Sequence, residues 1–339
     1  MSASGVGRQV GRANALTLVL PLKRWGVAWS ALWFVALGMA RQRHRFEVLD
    51  RLRFIYAIRW TVLPPFERRR PGQRWGREHR WQLLFESNFD GDWDEYLDAF
   101  GSVVPDQLHR ILAACDGYPG LAPITLFKDW AKASDHLPEA YATAYPDITA
   151  VGIRQAIART GPRGRARIVA EGFGRTRPNW STFLIPLAPG AASRASAAAR
   201  DLDGPAAGQE PFLLRGQDSV HFARLAIVPQ ATRTWLLLTI THEGPVEPVI
   251  ERLVREDADA TGPDDLGPLR RLLACTDAMP TSGGGWSDAE VVAYVLAHRP
   301  KGAWMTLRYC AYPGWTPRAI RALQDADAGD AWPIPDGAT

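Results

Sequence analysis

Cysteine, lysine and long apolar runs are all scarce in this chain. The three cysteines, Cys115, Cys275 and Cys310, lie far apart and form no Cys-x-x-Cys pair. That excludes a disulfide framework and a thiolate metal site, and it fits a reducing cytoplasm. Only Lys23, Lys128, Lys132 and Lys301 are lysine, so arginine carries almost all the positive charge; genomic base composition is sufficient cause. The uncharged stretch at residues 25–40 is 16 residues long, short of the roughly 20 that a bilayer-spanning helix needs. It begins too deep in the chain, with weak small-residue cleavage signals, to read as a secretory peptide. The sequence has no phosphate-binding loop, no Gly-x-Gly-x-x-Gly after a strand, no His-Glu-x-x-His and no nucleophile elbow, so the chemistries tied to those motifs find no support.

What is present begins with charge. Residues 1–80 hold sixteen arginines and lysines against Glu47, Asp50, Glu67 and Glu78, a local excess of +12 in a chain whose net charge is +4. The rest therefore carries −8. Such a split marks either a solvated basic face or an anionic partner or membrane surface. With 46% apolar and 22% charged residues in 339, the composition is globular and the length suits two domains.

The chain also contains its own sequence twice. Leu-Val-Leu-Pro-Leu at 18–22 matches Phe-Leu-Ile-Pro-Leu at 183–187, and an apolar run ending at Pro64 matches one ending at Pro229. The segment 108–119 matches 269–280, and the Ala-Tyr-Pro triplet at 144–146 returns at 311–313. Four anchors in one order at nearly one offset indicate a duplicated unit too long for a solenoid repeat. The organisation expected is a disordered tail at 1–14, repeats at 15–160 and 180–326, a Gly/Arg/Pro-rich linker at 161–179 and a C-terminal tail at 327–339.

Within each repeat the patterning predicts β-α-β-β-α-β. Strands are expected at 16–22, 53–63, 81–88 and 140–145, then at 181–187, 219–228, 235–241 and 303–312. The stretch at 25–40 is expected to be a helix buried against protein, because its counterpart at 191–202 is soluble in character. This order is the split β-α-β arrangement, a four-stranded antiparallel sheet with helices on one face. It resembles a tandem member of the dimeric α+β barrel superfamily, with distant similarity to dye-decolourising-peroxidase-like proteins. The resemblance implies an α+β chain of two ferredoxin-like domains that form an intramolecular pseudo-dimeric barrel. It also implies a small-molecule enzyme or binder working between the two sheets, of oxidative, peroxidase- or monooxygenase-like type; the superfamily includes both haem-dependent and cofactor-free members, so haem is one candidate cofactor.

Six residues are candidates for that chemistry. Arg59 and Arg224 each stand five residues before a strand-ending proline, and alternation aims both at the interior. There they could hold a carboxylate-bearing or small hydrophobic ligand, or pair with an acid such as Glu86. Asp90, in Ser-Asn-Phe-Asp-Gly, compares with the Gly-x-x-Asp-Gly motif of dye-decolourising peroxidases but lacks its first glycine. The acid-Gly pair returns at Glu243-Gly244, as a turn and helix cap would. His136 and His298 both occur as His-x-Pro, either haem ligands or helix-end histidines that favour the dipole. His221 is a lone histidine near a strand end. The competing class is a non-catalytic cytoplasmic protein, either a protein-interaction module or a membrane-peripheral accessory protein. Its contacts would run through residues 25–40, with Trp25, Trp29, Trp33 and Phe34, or through the Arg-rich loop from Arg68 to Arg80. No nucleic-acid module is recognised, so nucleic acid is disfavoured as a partner.

Overall fold

Two four-stranded antiparallel sheets lie face to face, each with helices on its outer side. The computed structural model describes residues 13–42, 49, 51–67, 79–160, 178–203, 210–259, 266–278, 285–301 and 305–328, with backbone alone at 37–42 and 324–328. The strands are β1 (Ala13–Pro21), β2 (Ile55–Leu63), β3 (Gln82–Asp90), β4 (Pro138–Thr143), β5 (Asn179–Pro186), β6 (Val220–Pro229), β7 (Thr234–His242) and β8 (Thr306–Cys310). The helices are α1 (Gly26–Gln42), α2 (Trp93–Val103), α3 (Pro105–Leu112), α4 (Ile124–Ser134), α5 (Ala150–Arg159), α6 (Ala192–Asp203), α7 (Glu247–Asp259), α8 (Pro268–Leu273), α9 (Asp288–Ala297) and α10 (Pro317–Ala328).

Local chemistry accounts for these boundaries. Asp92 caps α2 by accepting from the Asp94 N–H at 2.7 Å, and Asp94 and Glu95 follow in the first turn, where the helix dipole favours them. Trp93, Tyr96, Leu97 and Phe100, spaced 3, 4 and 7, form its buried stripe. A capping box of Ser287 and Glu290 starts α9. In the first sheet the alternate residues Ile58, Trp60 and Val62 pack outward into the helix core, while Arg59, Thr61 and Leu63 take the inner face. Ala13 and Asn14, expected in the tail, already belong to β1; residues 1–12, 68–78, 161–177 and 329–339, which hold most of the expected tails, basic loop and linker, lie outside the described residues.

The sheet orders are β1-β3-β2-β8 and β4-β6-β7-β5. Read from β5, the second order repeats the first. Each sheet thus takes three strands from one half of the chain and its fourth from the other. This differs from the expectation that four consecutive strands make each sheet. Period-two patterning marks a strand and its buried face, but carries no information about which edge it will join. Here β8 pairs with β2, and β4 pairs with β6.

The stretch beginning at Trp25 forms a helix, as expected, and the strands on either side of it, β1 and β2, share one sheet. Among the described residues, no helix is long and apolar enough to cross a membrane. One face of α1 is buried as expected, through Ser30 and Phe34. The opposite face is not: Trp25 is 49%, Leu32 61% and Val35 60% exposed.

Candidate functional site

Arg59, Glu86 and Arg224 occupy the middle of the space between the sheets, each 3% exposed or less. Strand register puts them there. Arg59 stands opposite Glu86 across β2 and β3, and Arg224 stands opposite Thr239 across β6 and β7. An Arg59 Nη2 donor meets Glu86 Oε2, and the Thr239 hydroxyl donates to Glu86 Oε1 at 2.6 Å. Arg224 reaches across to the first sheet. Its Nη1 donates to the Leu16 carbonyl at 2.9 Å and to Thr17 Oγ1 at 3.1 Å, and its Nη2 donates to the Ser87 carbonyl at 3.3 Å and to Asn88 Oδ1. Arg224 Nε lies 3.8 Å from Glu86 Oε1. One carboxylate is thus clasped by two guanidiniums, and most of the donors of Arg224 are spent on the protein itself. Arg59 Nε remains a buried N–H with no acceptor. Burial alone would push the Glu86 carboxyl up, but the Arg59 and Arg224 charges and the Thr239 hydroxyl hold it below the usual carboxylate range. The Arg59 guanidinium is lowered chiefly by its own burial, against the pull of Glu86.

At one end of this interior lies a cluster of aromatic and polar side chains. Tyr145 Oη meets His221 Nδ1 at 2.5 Å, and His221 Nε2 meets Glu243 Oε1 at 2.8 Å. The pattern assigns the imidazole proton to Nε2, donated to the carboxylate, with Nδ1 accepting from the phenol. The comparable pair in the other half is Tyr56 and Asp90, joined at 2.5 Å, with Asp90 Oδ2 also accepting from the Ala150 N–H at 2.7 Å. Tyr56 and His221 fall at register shifts in β2 and β6. Strict alternation would send both to the helix side. The bulges instead set Tyr56 among Ala57, Tyr145 and Phe222, and His221 against Tyr145 and Tyr312. Burial raises the Asp90 carboxyl, opposed by its bonds from Tyr56 and Ala150. Burial likewise pushes the Tyr145 phenol well above its ordinary range.

A Tyr-His-Glu chain is the arrangement of a proton relay. Here the phenol is held protonated, and both ring nitrogens of His221 are occupied by protein partners. The chain acts as a hydrogen-bonded strut that ties the end of β4 to β6 and to the end of β7.

The remaining candidates sit elsewhere. The His136 N–H donates to the Thr17 carbonyl on the outer edge of β1 at 2.8 Å, and the His298 carbonyl accepts from Leu184 on the outer edge of β5 at 3.0 Å. His298 Nδ1 lies 2.8 Å from the Tyr294 carbonyl and its ring packs on Tyr294. Burial lowers the His136 imidazole to about 4, leaving it neutral near pH 7. The recurring His-x-Pro is therefore where the chain leaves a helix, pairs with an open sheet edge and enters the exchanged strand. The three candidate histidines, His136, His221 and His298, do not converge. Among the described residues no group of three or more His, Cys, Asp or Glu side chains could hold a metal ion. Haem is poorly matched by this set: the arginines that would face its propionates are turned onto Leu16, Thr17, Glu86, Ser87 and Asn88.

Sequence reasoning missed Tyr145 and Glu243 as partners of His221. The signals were present in the repeated Ala-Tyr-Pro and the repeated acid-Gly pair. Comparison with protein-family models and with curated proteins yields no match to this sequence.

Proposed function

We propose that the chain is a non-catalytic interaction protein, a tandem ferredoxin-like duplication that presents its outer surface to a partner while its inter-sheet space serves as core. The observation that carries this reading is the Arg59–Glu86–Arg224 cluster. Glu86 answers one of the two guanidinium charges, and Arg224 makes four hydrogen bonds to neutral acceptors on the facing sheet. Leu63, Leu84, Leu184, Val228 and Leu237 fill the space on one side of the cluster, and Tyr56, Tyr145, Phe222 and Tyr312 on the other. The mirrored sheet orders and the paired bulges at Tyr56 and His221 support the duplication. The three cysteines, all free and buried, support a reducing cytoplasm.

Titration with haemin separates this reading from a haem-dependent oxidative enzyme that uses the interior. The expected result is no stoichiometric Soret band. A one-to-one Soret band that is lost in His298→Ala and weakened in Arg224→Gln would overturn it in favour of a haem-dependent, peroxidase-like small-molecule enzyme.

A further inference from the structure

Trp25, Ala28, Leu32 and Val35 follow one another at helical spacings of 3, 4 and 3 and form a single exposed apolar stripe along α1, about 15 Å long at 1.5 Å per residue. The helix does not need this stripe to stay in place. Its other side is anchored by buried Ser30 and Phe34, by a bond from Trp29 Nε1 to the Arg110 carbonyl at 2.7 Å, and by the Arg110 guanidinium 4.6 Å over the Trp33 ring. Nor does the position require it. The helix that follows the first strand of the other sheet, α6, turns Ser193, Arg194, Ala197 and Arg200 outward.

The charge around the stripe is basic. Lys23 lies 5.4 Å over the Trp25 ring while donating to the Ala113 carbonyl, and Arg24 is exposed beside it. They belong to the N-terminal 80 residues with their excess of +12 against −8 in the remainder.

Resting on the surface-interaction reading above, we propose that α1 docks lengthwise on an anionic phospholipid surface. Trp25, Leu32 and Val35 enter the boundary between headgroups and acyl chains, and Lys23 and Arg24 meet the phosphates and carboxylates. The half-exposed Trp25 indole suits that boundary, where aromatic rings with a polar N–H are favoured. Each basic residue near such a surface adds about 1 kcal/mol. A protein partner fits less well. Three partly exposed side chains offer on the order of a few hundred Å², against the roughly 800 Å² per side of a stable protein interface.

The test is co-sedimentation of the full-length protein with phosphatidylcholine vesicles, with and without phosphatidylserine, at low and high salt. The expected result is binding at least about tenfold tighter to the phosphatidylserine vesicles, weakened by salt. It should fall by roughly tenfold or more in Leu32→Glu/Val35→Glu, with an unchanged thermal melt. Arg24→Glu, at an exposed position, gives a second readout should the double variant melt early: its loss should be confined to anionic vesicles. Absence of binding by folded protein, or equal binding to both vesicle types, overturns the proposal. So does a concentration-dependent dimer in sedimentation velocity that Leu32→Glu/Val35→Glu abolishes, since a second copy would then cover the stripe. None of these outcomes restores a catalytic interior; only the haemin titration bears on that, so the two failures are distinguishable.

Discussion

Glu86 illustrates how far a single residue here depends on its neighbours. It is 3% exposed, and an isolated carboxylate at that depth would be prohibitive. Two guanidiniums and a hydroxyl make it tolerable. Removing the acid leaves two buried cations facing each other, so Glu86→Gln should lower unfolding stability by about 3–5 kcal/mol in urea or thermal melts. The effect should depend on pH with a fixed sign. Because the folded carboxyl is held below its unfolded value near 4.5, its contribution is fully present above that pH and is lost as pH falls through the lower, folded value. The gap between wild type and Glu86→Gln should therefore be constant from neutrality down to about pH 5 and close at more acid pH. A gap that is flat into the acid range would mean that the carboxylate is not what the arginines hold.

Among the described glycines, Gly267 at the junction of α7 and α8 has the least room for a side chain. Asp257 on α7 is fully buried and accepts from the Leu269 N–H at 2.6 Å and the Arg270 N–H at 3.3 Å, so it caps α8 from another helix; its carboxylate also meets Arg270 Nη1 at 3.0 Å. Gly267 stands at the approach. A Cβ there would come within 2.3 Å of Asp257 O and Oδ1, a clash that backbone and a bonded carboxylate cannot relieve cheaply. Gly267→Ala should cost about 1–3 kcal/mol in equilibrium unfolding, although its φ of −59° is open to any residue. Gly285, where an added Cβ would meet nothing within 4 Å, is the matched control and should change little on substitution by alanine.

For the whole molecule, the exchange of β4 and β8 has the largest consequence. Residues 1–160 on their own would keep β1, β2 and β3 but lose β8 from the edge of β2, and their β4 would have no β6 to pair with. An open edge beside an unpaired strand invites association. Expressed alone, residues 1–160 should aggregate or self-associate, and co-expression with 161–339 should restore a soluble one-to-one complex, read by size exclusion with light scattering. A stable, monomeric 1–160 would show that β4 can fold back on its own half.

Element identities were legible in the sequence because they are local. The alternation at 53–63, the Asp-Gly-Asp break at 90–92 and the Ser-Asp-Ala-Glu box at 287–290 each report on a few consecutive residues. The inward direction of Arg59 and Arg224 followed from the same period of two. The bulges at Tyr56 and His221 were not legible, since an extra residue in one strand exists only relative to its partner. The chain by itself determined which segments become strands and helices and which faces are apolar. Tertiary structure decided which half supplies each fourth strand, that Glu86 lies between both arginines, and that one apolar face of α1 is left outside. Those outcomes depend on how segments distant in the chain pair and pack, and no local pattern encodes them.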